Sequence, residues 1–363
     1  MDIGAKTMTE SNPIPTQLPT NPTKMPFTGF DNLPLHSSFP NEPDWKSWHG
    51  QNVLLFDRTH RSKVELTGPH AAKFLHNLCS NDIKELPLGG GCEVFFADKS
   101  ARYISFANIY HFLLSDGRHG FWLDLSPGTG LSMIGHLDKH LVSEQVELAD
   151  RTNEFAQFHL CGDNATHLLG QAIQEPVPEL GQHQHMVRSI QGNIPTSIRR
   201  HDLLGFIGYE LIVLKGRATS LWEALVSFGA LPTGEAAFQG LRVLAGFPEE
   251  PLELDATMRV MEVDRPKTAI ADNKGCYLGQ EPIVMARDRG QLNRKLRKVK
   301  IRANSLSSGP ISQDGKEIGR ICSCVETTPG NWQALAYLRR GFWDQGSKWE
   351  CQNLEGPIYL DVA

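Results

Sequence analysis

The chain has no run of eighteen apolar residues, so nothing in it reads as a membrane-spanning helix. A charge excess is missing too. The formal net charge is −5, which gives no chain-wide attraction to nucleic acid or to an anionic membrane. The first forty-five residues lack an apolar stretch of the kind that secretion requires, and their few charges include Asp2 and Glu10. That argues against a secretory signal and against an arginine-rich transit peptide. Rich in Pro, Asn, Thr and Ser, this segment buries too little apolar surface to offset its ordering entropy, and it reads as a flexible tail. Paired cysteines are also absent. The seven cysteines are odd in number and scattered in spacing, which argues against a disulfide framework and for a reducing, cytoplasmic setting. Cys322 and Cys324 form only C-x-C, with no second pair at zinc-ligand spacing. On an alternating strand the two sulfurs would share one face, as packing groups, so no metal site is expected.

What the chain does contain is enough apolar material for two or three packed units. It has 363 residues, 40% of them hydrophobic and 21% charged. Strand-like and helix-like runs alternate twice. In the first round, Lys63–Leu66, residues 93–97, 103–114 and 121–125, and residues 146–148 read as strands. Helical spacing appears in Ala71, Phe74, Leu75 and Leu78, with Pro69 at the expected first turn, and again in Leu131, Ile134, Leu137 and Leu141. The second round has strands at 155–160, 186–190, 194–201 and 209–214, with helices at 164–173, 219–228 and 235–245. Two α+β units of split βαβ, ferredoxin-like type are expected. After Gly290 come short strands between Gly and Pro turns, the pattern of a small β-barrel. The expected boundaries are a tail over 1–48, a first α+β domain over 49–150, a second over 151–290 and a barrel over 291–363.

One stretch carries chemistry in place of periodicity. Lys274-Gly275-Cys276-Tyr277-Leu278-Gly279-Gln280-Glu281 brings together an ammonium, a thiol, a carboxamide and a carboxylate between two glycines. The glycines permit sharp turns or the close approach of a ligand. Lys274 stands two residues from Cys276, and a nearby cation favours the thiolate. This reads as a loop presenting a reactive sulfur, the alternative being a surface turn with a chance cysteine. Just beyond, Arg287, Arg289, Arg294 and five further cations crowd into sixteen residues. They form either a solvated strand face or a basic rim for an anionic ligand such as a folate glutamate tail.

K-G-C-Y-x-G-Q-E followed by R-x-R-G-x-x-N-R resembles the signature of YgfZ-type folate-binding proteins, of the same superfamily as the glycine cleavage T-protein (aminomethyltransferase). The resemblance extends over roughly residues 50–350. It implies two α+β domains, interleaved along the chain, and a C-terminal barrel around a central folate channel. Arg200–Glu210 resembles a T-protein stretch ending G-Y-E, whose glutamate bonds the pterin ring. Glu210 thereby becomes the expected folate contact, with Tyr209, Phe238 and Trp122 as accompanying aromatics. Ala236–Pro248 resembles a second T-protein segment, but Phe238 stands where the family has its folate-contacting arginine. A ring can stack on a pteridine but cannot pair with a carboxylate. Glu253-Leu254-Asp255 resembles the family's E-L-D turn. In the segment matching G-G-x-[IL]-D-D-L, Ser105 takes the place of the catalytic aspartate and Phe106 that of the next one.

A serine hydroxyl is not ionised at neutral pH, and losing a positioned acid–base group costs about a hundred- to ten-thousand-fold in rate. The resemblance therefore implies a tetrahydrofolate-binding (or other folate-binding) accessory protein in iron–sulfur cluster assembly or repair, with an effect on tRNA modification. Cys276 would be its reactive thiol, supported by Lys274. Iron–sulfur enzymes or assembly factors would be transient partners. The alternative is a tetrahydrofolate-dependent aminomethyltransferase or demethylase, which needs a replacement carboxylate; Asp98 lies on the wrong side of its turn. An RNA-binding role for the basic run lacks the interleaved aromatics that single-strand binders stack on.

Overall fold

The computed structural model describes residues 38–40, 42–290, 292–353 and 356–363. The tail expected over 1–48 lies for the most part outside these residues. The chain runs β1 (Leu54–Asp57), β2 (Ser62–Thr67), α1 (Ala71–Leu78), β3 (Gly91–Ala97), β4 (Tyr103–Leu113), β5 (His119–Leu125), α2 (Gly130–Asp138) and β6 (Glu147–Asp150). It continues with β7 (Phe155–Cys161), α3 (Ala165–Ile173), β8 (His185–Ile190), β9 (Ile194–Arg200), β10 (Gly208–Leu214), α4 (Ala218–Ser227), β11 (Leu231–Pro232) and α5 (Glu235–Ala245). The short α6 (Pro266–Ala269) and then α7 (Gln280–Arg289) follow. The last strands are β12 (Arg294–Arg302), β13 (Gly309–Gln313), β14 (Lys316–Thr328), β15 (Asn331–Arg339), β16 (Lys348–Asn353) and β17 (Gly356–Val362).

Three β assemblies result: a five-stranded sheet ordered β3-β4-β5-β2-β6, a six-stranded sheet ordered β11-β1-β7-β10-β9-β8, and a closed barrel β12-β15-β14-β13-β16-β17. The two α+β units and the barrel are thus as expected. The linear boundaries are not. β1 falls within residues 49–150, yet it pairs with β7 and, in parallel, with β11. Residues 254–290, expected in the second unit, supply Met258, Ile270 and Tyr277 to an apolar cluster with Phe95 and Tyr103 of the five-stranded sheet and Tyr337 of the barrel. Their apolar side chains find a partner surface there, not on the sheet that precedes them in sequence.

Each sheet buries one face under its own helices. Val64, Val94, Ile109 and Leu123 meet Phe74, Leu75 and Leu137 of α1 and α2. Phe158, Leu160, Tyr209 and Leu211 meet Leu168, Leu169, Leu221 and Leu225 of α3 and α4. Because strand side chains alternate, the residues between these point the other way. That second pair of faces forms the contact between the sheets. Helix α5 closes one end of it and stops at Gly246, whose left-handed φ of +84° carries its N–H back to Arg242 O.

Candidate functional site

The contact between the sheets is polar, unlike either core. Asn108 and Asp124 project from β4 and β5, and Gln157, His159, Arg199 and Glu210 from β7, β9 and β10; all are 5% exposed or less. Burying such groups is costly unless they are paired. The pairing is specific. Asp124 Oδ2 accepts from Gln157 Nε2 at 3.0 Å, and the same nitrogen donates to Glu210 Oε2 at 2.9 Å. Glu210 Oε1 lies 3.0 Å from His159 Nδ1. Asp124 Oδ1 accepts from Arg61 Nε at 2.5 Å.

Arg58 and Arg61 come from the β1–β2 connection, which Lys63 holds in place. Its ammonium is fully buried and donates to Thr59 O at 3.0 Å and Arg61 O at 2.7 Å. Burial pushes its pKa down to about 8. Arg58 donates to Glu249 Oε1 at 2.7 Å and lies 3.7 Å from the centre of the Phe238 ring. Burial alone would raise the pKa of Glu210 and of Glu249. His159 and Gln157 around the first, and Arg58 and Gln239 around the second, outweigh it and hold each pKa at about 2.

These groups surround a hollow lined also by Phe106, His201 and Phe247, with room for about one ordered water. Asn108 Oδ1, in its lining, has no hydrogen-bond partner, and neither do Gln157 Oε1, His159 Nε2 and Arg199 Nη1 elsewhere in the contact between the sheets. Arg199 lies over Tyr110 and Trp122, 4.3 and 5.2 Å from their ring centres. As it stands the hollow is too small for a pteridine.

Of the expected folate contacts, Glu210 and Phe238 line this hollow. Tyr209 does not: one residue along β10, it points into the opposite core, where its hydroxyl pairs with Thr166 Oγ1 at 2.7 Å. Trp122 faces the other sheet, packed edge-on against Phe155, but does not line the hollow. Ser105 is turned away as well. It pairs with Phe96 across β3 and β4 on the face toward α1 and α2, its Oγ buried and unpartnered, while Phe106 takes the hollow-facing position. The comparison of Ser105 with a catalytic aspartate therefore lands on the wrong face. Asp98 caps the β3–β4 turn, accepting from the Ser100 and Arg102 N–H groups.

The 274–281 loop sits elsewhere, against the end of α1. Lys274 Nζ donates to the carbonyls of His76, Cys79 and Asn81 at 2.6–2.7 Å, at the helix C-terminus, and lies 4.6 Å from the centre of the Tyr277 ring. Its contacts go to backbone and ring, and the expected pairing with Cys276 is not among them. Tyr277 is buried. Gly279 adopts a φ of +80°, and an added Cβ would lie 2.5 Å from Asp98 O, so only glycine fits. Gln280 opens α7, and Glu281 is exposed in its first turn. At Gly275 an added Cβ would meet only His76 Nε2 at 3.9 Å. Cys276 is exposed, whereas the other six cysteines are buried or half-buried, and none of the seven is in a disulfide. It does not line the hollow between the sheets.

The basic run is largely neutralised. Arg287 pairs with Asp272 and Asp288, Arg294 with Glu262, and Lys295 and Arg297 with Asp264. Lys298 donates to Leu244 O. The side chain of Arg289 lies outside the described ones. An open basic rim is therefore not what these side chains form; most are committed locally because β12 packs beside the acidic 262–264 turn.

Asp124, Gln157, His159, Arg61 and Arg199 were not singled out by motif. For those on strands the signal was a polar residue inside a buried strand, as in Phe121-Trp122-Leu123-Asp124-Leu125; Arg61, in the β1–β2 connection, carried none.

A family model for the GCVT N-terminal domain matches residues 47–267. The chain belongs to that family. The match ends ahead of the 274–281 loop. A chloroplastic transferase-like protein of Arabidopsis thaliana is 29% identical over 84% of this chain and 69% of its own. An aminomethyltransferase of Rubrobacter xylanophilus is 25% identical over 78% of this chain and 75% of its own. The fold matches the glycine cleavage system aminomethyltransferase T from Bartonella henselae with a TM-score of 0.74 at 20% identity, covering 86% of this chain and 85% of that one. The GcvT-type architecture is thus established. No helix among the described residues is long and apolar enough to cross a membrane.

Proposed function

We propose that this GcvT-family chain is a folate-binding accessory protein of the YgfZ type, serving iron–sulfur cluster assembly or repair, and not an aminomethyltransferase. The observation that carries this reading is the state of the carboxylates lining the hollow. Asp124, Glu210 and Glu249 each have both oxygens engaged by neighbouring side chains. His159 and Gln157 hold the Glu210 carboxyl, and Arg58 and Gln239 that of Glu249, well below the usual carboxylate range. A general base works best with a pKa near the operating pH. These carboxylates are suited to accepting hydrogen bonds, not to moving protons.

A bound tetrahydrofolate would be held by Glu210 accepting pterin N–H groups through its remaining lone pairs, by Asn108, and by an apolar wall from Phe106 and Phe238. When bound, that group supplies nitrogens able to carry one-carbon units. Cys276 supports the accessory half of the reading: it is the exposed thiol, on a loop clamped to α1 and outside the hollow. Common clusters need four ligands, so a lone thiolate would take part only in a transient or shared contact with a partner. The free cysteines fit a reducing compartment such as the cytoplasm. An effect on tRNA modification would follow through the client enzyme.

The test is complementation. In cells lacking the protein, wild type restores the activity of iron–sulfur enzymes and Cys276→Ser does not. Full rescue by the serine variant would remove the thiol from the function. Release of one-carbon units from a methylamine donor by the purified chain would restore the transferase reading.

A further inference from the structure

One group of side chains stands beside the folate hollow with chemistry that binding a folate does not explain. Glu93 on β3, His183 ahead of β8 and His201 after β9 each present a ligand atom, and these atoms lie within 4.8 Å of one another. Glu93 is 3% exposed and His201 4%. The two imidazole rings are 4.9 Å apart, and His183 Nε2 is 3.9 Å from Glu93 Oε1. Neither ring nitrogen of His201 has a hydrogen-bond partner, and neither does Nδ1 of His183. A fully buried imidazole normally satisfies at least its N–H. Here one buried imidazole and one half-buried imidazole converge on a buried carboxylate.

The three residues line a surface cleft together with Gly205, Ala245 and Thr268, which gives an ion a route in. Glu93 is already oriented: Arg265 donates to both its oxygens, from Nε at 2.9 Å and from Nη2 at 2.5 Å. A carboxylate has about four lone-pair sites, so this contact leaves acceptor capacity facing His183. Outer partners of this kind fix the orientation of metal ligands.

We propose that Glu93, His183 and His201 form a binding site for one divalent transition-metal ion of the zinc class. Two imidazoles and a carboxylate are an established zinc donor set, leaving a fourth position open to water or another ligand. Bonds of about 2.0–2.2 Å bring tetrahedral ligands to about 3.4 Å from one another, so the site closes by a modest rotation of the two imidazoles. The positive charge of Arg265 opposes the incoming ion and tempers its affinity. Glu93 belongs to the five-stranded sheet and the histidines flank strands of the six-stranded one, so the ion would tie the two units together.

The full chain, stripped with a chelator, is titrated with Co2+ and followed by visible absorption, then with Zn2+ and followed by thermal unfolding. One equivalent of cobalt with a visible d–d band is expected, and a melting temperature that rises with zinc concentration. His183→Gln and His201→Gln should each weaken cobalt binding by at least about 100-fold, more than the 10–100-fold typical of outer-sphere changes. Cys276→Ser should leave the band in place. Where His201→Gln does not fold, the half-buried His183 variant decides. Absence of a stoichiometric band, its survival in His183→Gln, or its loss in Cys276→Ser would each overturn the site.

Discussion

The carboxylates of Asp124 and Glu210, one from each sheet, meet on a single nitrogen: Gln157 Nε2 donates to both, at 3.0 and 2.9 Å. That nitrogen links the two α+β units at the centre of their contact. Removing it leaves two buried charges each short of a donor. Gln157→Leu should destabilise the fold by about 3 kcal/mol, read as a lower urea midpoint, since each buried acceptor left unmet costs about 1–3 kcal/mol. A loss under about 0.5 kcal/mol would mean the bridge is not made in solution.

Acid stability has two overlapping contributions that start at different pH. Burial, with Arg58 and Arg61 close by, pushes the His60 pKa from its ordinary 6.5 down to about 2. The unfolded chain then binds a proton below about 6.5 that the folded chain refuses, so stability falls as pH drops through that region. The slope is no more than about 1.4 kcal/mol per pH unit, and His60 is only half-buried, which screens it further. Glu249 is held at about 2 against an ordinary 4.5, so its contribution is full above 4.5 and is lost as pH falls toward 2. His60→Gln should flatten the stability profile from about 6.5 down to about 2, and Glu249→Gln only between about 4.5 and 2. Urea midpoints across pH would show both, and the reverse assignment would contradict the burial of these groups.

Register decides what a carboxylate on β4 can do. Ser105→Asp places a charge in the core under α1 and α2, at a cost of at least about 3 kcal/mol for an uncompensated buried ion. It should bring no transferase activity. Phe106→Asp instead puts the carboxylate into the hollow. Thermal unfolding alongside a folate-dependent transfer assay compares the two. A stable, active Ser105→Asp variant would show that the register is wrong.

Exposure singles out one sulfur. Under native conditions a maleimide should add to Cys276 alone, because the other six cysteines are buried or half-buried. Burial also pushes the thiols of Cys79 and Cys351 up to about 11. Intact-mass spectrometry with peptide mapping would read one label per chain at that position. Fast labelling elsewhere, or none at Cys276, would contradict the loop's placement.

Much of the architecture was legible before any coordinates. The helix over Glu235–Ala245 forms with those bounds, and the turns after Gly290 mark a barrel, because local periodicity and glycine placement are strong there. Interleaved units were expected from the resemblance, but which strand crosses was not legible: β1 reads like any apolar strand, and its partner β7 lies about a hundred residues on. At the site, Glu210 and Phe238 were found by motif. Tyr209 and Ser105 failed because a motif carries no face, and one step along a strand reverses direction. Asp124, Gln157 and Arg199 were missed because their meaning arises only when two sheets come together. The 274–281 signature turned out to be mainly docking chemistry, with Lys274, Tyr277 and Gly279 fixing the loop and leaving Cys276 free of it.

The most direct measurement is calorimetric titration of tetrahydrofolate into the wild type, Glu210→Gln and Cys276→Ser. About one site per chain is expected, with affinity at least about ten-fold weaker in Glu210→Gln and unchanged in Cys276→Ser. No binding by the wild type, or equal affinity in Glu210→Gln, would take the folate out of the hollow between the sheets.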